Sequence, residues 1–176
     1  MSERLPSREQ AIALLKDNGC SDHVISHCLA VAELSLEIAN KLQKKGLTVN
    51  LALVEAGALL HDIGRAKTHT VDHAVVGAQI AKSIGLPESI IKVIKRHVGA
   101  GITAEEAKWL GWPQDVYTPQ SLEEKVVSYA DKLIDKSERI SIETEIKRLR
   151  EENKSEAAQR VGLLHQEMTN LLGNEK

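Results

Sequence analysis

Phenylalanine is absent from this chain, and its only aromatic residues are two Trp and two Tyr. A core without many large rings must be filled by Leu, Ile, Val and Ala, which favours helices packed on helices over a two-sheet sandwich. Cysteine is scarce as well: Cys20 and Cys28 make neither a metal-knuckle spacing nor a disulfide framework. No apolar run reaches the ~18 residues of a membrane span, and the opening MSERLPSREQ lacks the apolar core of a signal peptide. A cytoplasmic location without a membrane partner is therefore expected. Charge of one sign is also missing, with 23 basic against 25 acidic residues and a net of −2. That balance gives no general attraction to nucleic acid, although it allows a local basic pocket.

What the sequence does contain is helix punctuation. Ser7 with Gln10 forms a capping box, and Gly19 closes the helix it opens. Ser21 or Asp22 can cap a long helix running to Gly46, with Val24, Cys28, Val31, Leu34 and Ile38 at helical spacing. Asn50 starts LALVEAGALLHD, which should end at Ile63-Gly64. Helices are then expected near 72–83, over ESIIKVIKRHV, after the capping box Thr103/Glu106, and over LEEKVVSYADKLID after Ser121. Between the last two, WPQDVYTPQ reads as an irregular loop. Beyond about residue 141 the chain becomes strongly charged, with helices expected at 142–152 and 156–172. The expectation is an all-α bundle of about eight helices. Residues 1–137 would form the main unit (core 20–137), and 138–176 a charged helical extension packed on it or projecting from it. That extension could also carry a homo-oligomer contact.

The seven histidines are informative through their neighbours. Residues three and four apart share a helix face. By that rule His27 lies with Val24 and Val31, His61 with Gly57 and Ala58, His73 with Val76 and Gly77, and His97 with Val93 and Ile94. Asp62 follows Ala58 and Leu59, and Asp131 lies between Val127 and Ile134. One inward His is usually a hydrogen-bonded core residue, and one inward Asp is as readily half of a buried ion pair. Six such groups together are a poor fit to unrelated core accidents. A buried carboxylate needs a cation, and imidazole with carboxylate suits zinc, iron, manganese, nickel or cobalt.

His27, the pair His61-Asp62 in LLHDIGRAK, and Asp131 in SYADKLID resemble the H…HD…D signature of the HD superfamily of metal-dependent phosphohydrolases. Ile63-Gly64 resembles its HDIG subgroup. The resemblance spans roughly residues 20–137. HAVVGAQIA with His73 and IKRHVGAG with His97 resemble the extra histidines of HD proteins that hold two metals. It implies one or two divalent ions, the first on His27, His61, Asp62 and Asp131. Asp62 would then bridge to a second ion completed by His73 and His97. His69, four residues before His73, is the competing candidate for that place. His23 is expected at a solvated helix start, His165 in packing, and Cys28 in the core.

The activity implied is hydrolysis of a phosphoester or phosphoanhydride in a small nucleotide-like substrate by metal-activated water. Asp62 would act at the centre, with Arg65, Lys67 and Lys132 holding substrate phosphate; Arg96 has a lesser claim. Trp109, Trp112 and Tyr117 suggest a base or lid contact, or simply pins for an irregular loop. Two other readings stay open at this point. One is a two-iron HD oxygenase, the other a nucleotide-binding regulatory module without turnover.

Overall fold

The helix starts are written in short polar side chains. Ser7 accepts from the Gln10 N–H at 3.2 Å while the Gln10 side chain accepts from the Ser7 N–H at 2.9 Å. Thr103 and Glu106 repeat the arrangement at 3.2 and 2.7 Å. Ser21, Asn50, Ser121 and Ser141 each take the N–H three residues on. Each cap satisfies a backbone donor that the first turn leaves orphaned. The structure, a computed structural model, describes residues 3–173. The outermost residues of both expected units, 1–2 and 174–176, lie outside the described residues.

These caps open α1 (Arg8–Asp17), α2 (Asp22–Lys44), α3 (Leu51–Leu60), α6 (Ala104–Trp109), α7 (Leu122–Lys132) and α8 (Ile142–Glu151). Three helices start without a side-chain cap: α4 (His73–Ser83), α5 (Glu88–Arg96) and α9 (Ser155–Leu172). The described residues thus hold nine α-helices, one at each segment the punctuation marks, in keeping with a bundle expected at about eight. Single 3-10 turns follow α3 (Ile63–Ala66) and α5 (Val98–Ala100). An unforeseen two-stranded ribbon, β1 (Ile134–Asp135) and β2 (Glu138–Arg139), links α7 to α8.

α3 is the middle of the bundle. Val54, Ala56, Gly57, Ala58, Leu59 and Leu60 are all buried, an all-round apolar helix of the kind found inside a packed domain. It packs against α1, α2, α5 and α7. It ends at Leu60, not at Ile63-Gly64, because the chain tightens there into the 3-10 turn that seats against α4.

The C-terminal helices are less solvated than their charge implied. Ala158, Val161, Leu164 and Met168 form a buried stripe on α9, joined to the main core with Ile142 and Leu149 of α8. α9 packs on α7, on the second 3-10 turn and on α2. The dense charges between these positions mask an ordinary amphipathic pattern. His165 is held there by the Tyr129 hydroxyl at 2.7 Å.

Candidate metal centre

Five helices and the turns after them deliver six side chains to one place. His27 comes from α2, His61 and Asp62 from the end of α3, His73 from the first position of α4, His97 from just past α5, and Asp131 from α7. His61 is fully buried, with Asp62 at 3 %, His73 at 4 % and His97 at 2 % exposure. The rings of His27 and His61 lie 5.4 Å apart, those of His61 and His97 4.8 Å, and those of His73 and His97 5.1 Å.

Backbone carbonyls fix the tautomers. The Nδ1–H of His27 donates to Lys136 O at 2.7 Å, that of His61 to Ala58 O at 2.6 Å, that of His73 to Thr70 O at 2.7 Å and that of His97 to Ile94 O at 2.6 Å. A neutral ring so placed turns the lone pair of Nε2 inward. His27 Nε2 and His61 Nε2 lie 3.0 and 3.3 Å from Asp131 Oδ1, and 3.8 and 3.7 Å from Asp62 Oδ2. On the other side His73 Nε2 and His97 Nε2 lie 3.1 and 3.3 Å from Asp62 Oδ1, and 3.1 Å from each other. Nε2 of His61 and Oδ1 of Asp62 are buried without any hydrogen bond. Acceptors facing acceptors in a buried space are costly unless a cation or a proton lies between them. Two overlapping groups that share His61 have the spacing to hold an ion: His27, His61 and Asp131, and His61, Asp62 and His97.

The charges agree with this. Burial opposes ionisation of Asp62, but His61, His73 and His97 hold its carboxyl well below the usual carboxylate range. Burial likewise opposes ionisation of Asp131, which Lys132, His27 and His61 hold well below that range. Burial works against a charged His61, yet the Asp62 carboxylate beside it raises its pKa well above the ordinary value. In the absence of metal a proton would thus fill part of the cation's place. Burial drives His97 down to about 4, which keeps its ring neutral and able to act as a ligand. Burial pushes the Cys20 thiol up to about 11 and raises that of Cys28, so both remain protonated core residues.

Gly64 explains the glycine after the HD pair. A Cβ there would sit 1.9 Å from the carbonyl oxygen of His73 and 2.7 Å from the amide of Gly77. The 3-10 turn carrying Asp62 and the first turn of α4 carrying His73 meet backbone to backbone at this point.

Two cavities open onto the cluster. One, about 680 Å³, is bordered by His73 and by the α8–α9 turn; the other, about 530 Å³, is bordered by His27, Asp62 and Asp131. Arg65, Lys132 and Glu145 line both. Arg65 Nε donates to Asp62 Oδ2 at 2.8 Å, and Lys132 Nζ lies 2.9 Å from Asp131 Oδ2. His69 is exposed on the rim, where its carbonyl accepts from Arg65 at 3.3 Å, and its ring is in neither ligand group.

Several expected residues lie elsewhere. Lys67 is exposed and lines neither cavity, because the turn that brings Arg65 inward leaves the residue two further on facing solvent. Arg96 is structural: its guanidinium grips both oxygens of buried Glu124 at 3.0 and 3.1 Å. Trp112 and Tyr117 pack on one another and on Ala74, Ile102 and Ala107, pinning the irregular loop instead of facing the cleft. Asp72 holds the Trp112 indole N–H at 2.7 Å. Trp109 is 87 % exposed and lines neither cavity. The contribution of Glu145, Arg148 and Arg160 to the larger cavity was not anticipated. Their charged, helical surroundings looked like a solvated face, and only the buried stripe on α9 could have signalled otherwise.

A helical bundle whose inner ends converge histidines and aspartates on a cation site defines a class of metal-binding helical domains. Comparison with known proteins makes that particular: the HD domain model matches residues 24–134, and the chain belongs to the HD domain family. An uncharacterised protein of Methanocaldococcus jannaschii is 45 % identical over 93 % of this chain and 98 % of its own length. A protein of Picrophilus torridus named tRNA (cytidine(56)-2'-O)-methyltransferase is 36 % identical over 97 % of this chain. This chain spans only 49 % of that relative's length. Among solved structures, the HD domain of the Listeria monocytogenes phosphodiesterase PgpH in complex with cyclic-di-AMP superposes with a TM-score of 0.57 at 18 % identity. That match covers 93 % of this chain and 99 % of the other, and shows a shared fold.

Proposed function

We propose that this chain is a metal-dependent hydrolase of phosphoester or phosphoanhydride bonds in a nucleotide-like substrate. The observation that carries the proposal is the convergence of inward Nε2 atoms and carboxylate oxygens, with His61 Nε2 and Asp62 Oδ1 buried and without a hydrogen bond, on the floor of a cleft lined by Arg65 and Lys132. His27, His61, Asp62 and Asp131 would hold one ion, and Asp62, His73 and His97 a second. Divalent ions at such a centre supply Lewis acidity toward a phosphoryl oxygen and lower the pKa of a water to near neutrality.

The chain's own groups do the rest. Arg65 and Lys132 each spend one contact on a ligand carboxylate and offer their remaining N–H groups to the cleft. That places positive charge where the equatorial oxygens of a phosphoryl group gather it during displacement. The carbonyl partners of the four histidines keep every ring in one orientation, so the site is built before substrate arrives. The names of relatives support a nucleotide-like substrate. A Petrotoga mobilis protein named ribonuclease Y is 41 % identical over 42 % of this chain, and the bacterial structural neighbour carries a cyclic dinucleotide.

The test is metal analysis of the purified protein together with a product-release screen over nucleotides, cyclic nucleotides and dinucleotides. Asp62→Ala should abolish both bound metal and release. Hydrolysis that survives this change would assign the activity to another site or another protein.

A further inference from the structure

The larger cavity has a wall outside the segment that the HD family model matches. That segment ends at 134, whereas Glu145, Arg148, Asn153, Lys154, Ser155 and Arg160 line the cavity from α8, the turn after it and the start of α9. The two cavities adjoin, with Arg65, His69, Lys132, Glu145 and Arg148 lining both. His73 borders the larger one, while His27, Asp62 and Asp131 border the smaller, and the basic pair Arg65 and Lys132 stands at their junction. A phosphorus atom at that junction would therefore have room for one substituent in each space. At about 680 and 530 Å³, each space falls within the roughly 300–1,000 Å³ of small-molecule sites.

The chemistry of the larger space is not that of a second phosphate site. Arg148 is paired with Glu145 and with Asp135 at 3.2 Å, Lys154 with Glu152 at 2.6 Å, and Arg160 with Glu106 at 3.1 Å. The three cations of this wall, Arg148, Lys154 and Arg160, stand among four acids, Glu106, Glu145, Glu152 and Glu156. A further phosphate would meet that acidic surface. What remains open is a mixture of donors, acceptors and apolar patches, including Val71, Val98 and Leu149. Such a surface suits an uncharged group with hydroxyls and a flat apolar face.

Building on the hydrolase reading above, we infer that the α8–α9 turn forms a nucleoside subsite on one side of the scissile phosphorus. The substrate class is then a phosphodiester flanked by a group on both sides, not a terminal phosphate monoester or a polyphosphate chain.

Equilibrium binding to the metal-loaded protein tests this without turnover. The probes are the dinucleotide ApA with a phosphorothioate linkage, AMP, and ADP. The dinucleotide should bind about ten-fold or more tightly than AMP, and ADP should gain nothing over AMP. Ser155→Trp, at an exposed position on the cavity wall, should bring the dinucleotide down to the affinity of AMP. Glu156→Trp, also exposed on that wall, is the second variant, and circular dichroism checks that each is folded. Equal affinity for dinucleotide and AMP, tighter binding of ADP, an advantage that survives both folded variants, or no binding of any probe each overturns the subsite. A protein that prefers the dinucleotide but releases no product from any phosphoester keeps the subsite and loses the hydrolase proposal.

Discussion

Replacing Gly64 by alanine probes the link between backbone packing and the metal centre. The added methyl would begin 1.9 Å from the His73 carbonyl oxygen, whereas real Cβ contacts stay above 3.0 Å, so the turn and α4 must separate by about 1 Å. The obstacle is main chain, which cannot rotate aside as a side chain would. Overpacking of this kind costs about 1–3 kcal/mol, or roughly 2–12 °C in Tm for a chain of this size. The functional consequence is sharper than the thermal one. His73 Nε2 and Asp62 Oδ1 are 3.1 Å apart across this contact, so displacing α4 pulls one ligand of the second ion from the other. The expected result is a folded protein with a lowered melting temperature that keeps the ion held by His27, His61 and Asp131 and loses the second. Plasma emission metal analysis beside a thermal melt reads both. An alanine variant that melts like the parent and retains two equally tight ions would refute the account of this glycine.

Other perturbations have equally definite outcomes. Arg65→Ala should lower kcat/KM for the substrate by about 10²-fold or more, whereas Lys67→Ala, at an exposed position outside both cavities, should leave it near the parent value. Comparable losses from the two would contradict the placement of these side chains. Glu124→Ala strands the Arg96 guanidinium in the core and should cost about 3–5 kcal/mol in denaturant titration, with the metal content of the folded protein unchanged. The metal-free protein should be most stable at mildly acidic pH. Asp62 and Asp131, held low, contribute stability that is present above the unfolded carboxylate value near 4 and lost on acidification through their folded pKa values. His61, held high, contributes stability that is complete below about 6.5 and lost as pH rises through its folded pKa. Metal binding must displace that proton, so apparent affinity falls as pH falls. A chelated protein whose Tm climbs steadily from pH 6 to 9 would contradict this.

Helix starts were legible because a cap is a local bargain between neighbouring residues: Ser7 with Gln10 and Thr103 with Glu106 make the same bonds in the structure that their spacing suggests. Ser121 with Glu124 shows where local reasoning stops. Ser121 still takes the Glu124 N–H, but the Glu124 carboxylate is drawn to Arg96, a partner 28 positions away, and to the Gln120 N–H. The inward orientation of His61 and Asp131 was readable from helical periodicity, since small and apolar neighbours mark the buried face. The ribbon after α7 was not, because its turn uses Lys136 with a φ of 56° in place of the glycine or asparagine that announces such a turn. That turn nonetheless supplies the carbonyl that orients His27. The aromatic residues misled for a related reason. Scarcity drew attention to them, but Trp112 and Tyr117 serve the small core beneath their own loop.

His27 and Asp131 meet although 104 positions separate them along the chain. A nascent peptide cannot present both to an ion until α2 and α7 have docked on one another. On the proposed ligand set, capture of an ion by these two residues would follow the packing of α2 on α7, so cations would compete for a formed site and not for an unfolded chain that simply favours the tightest binder.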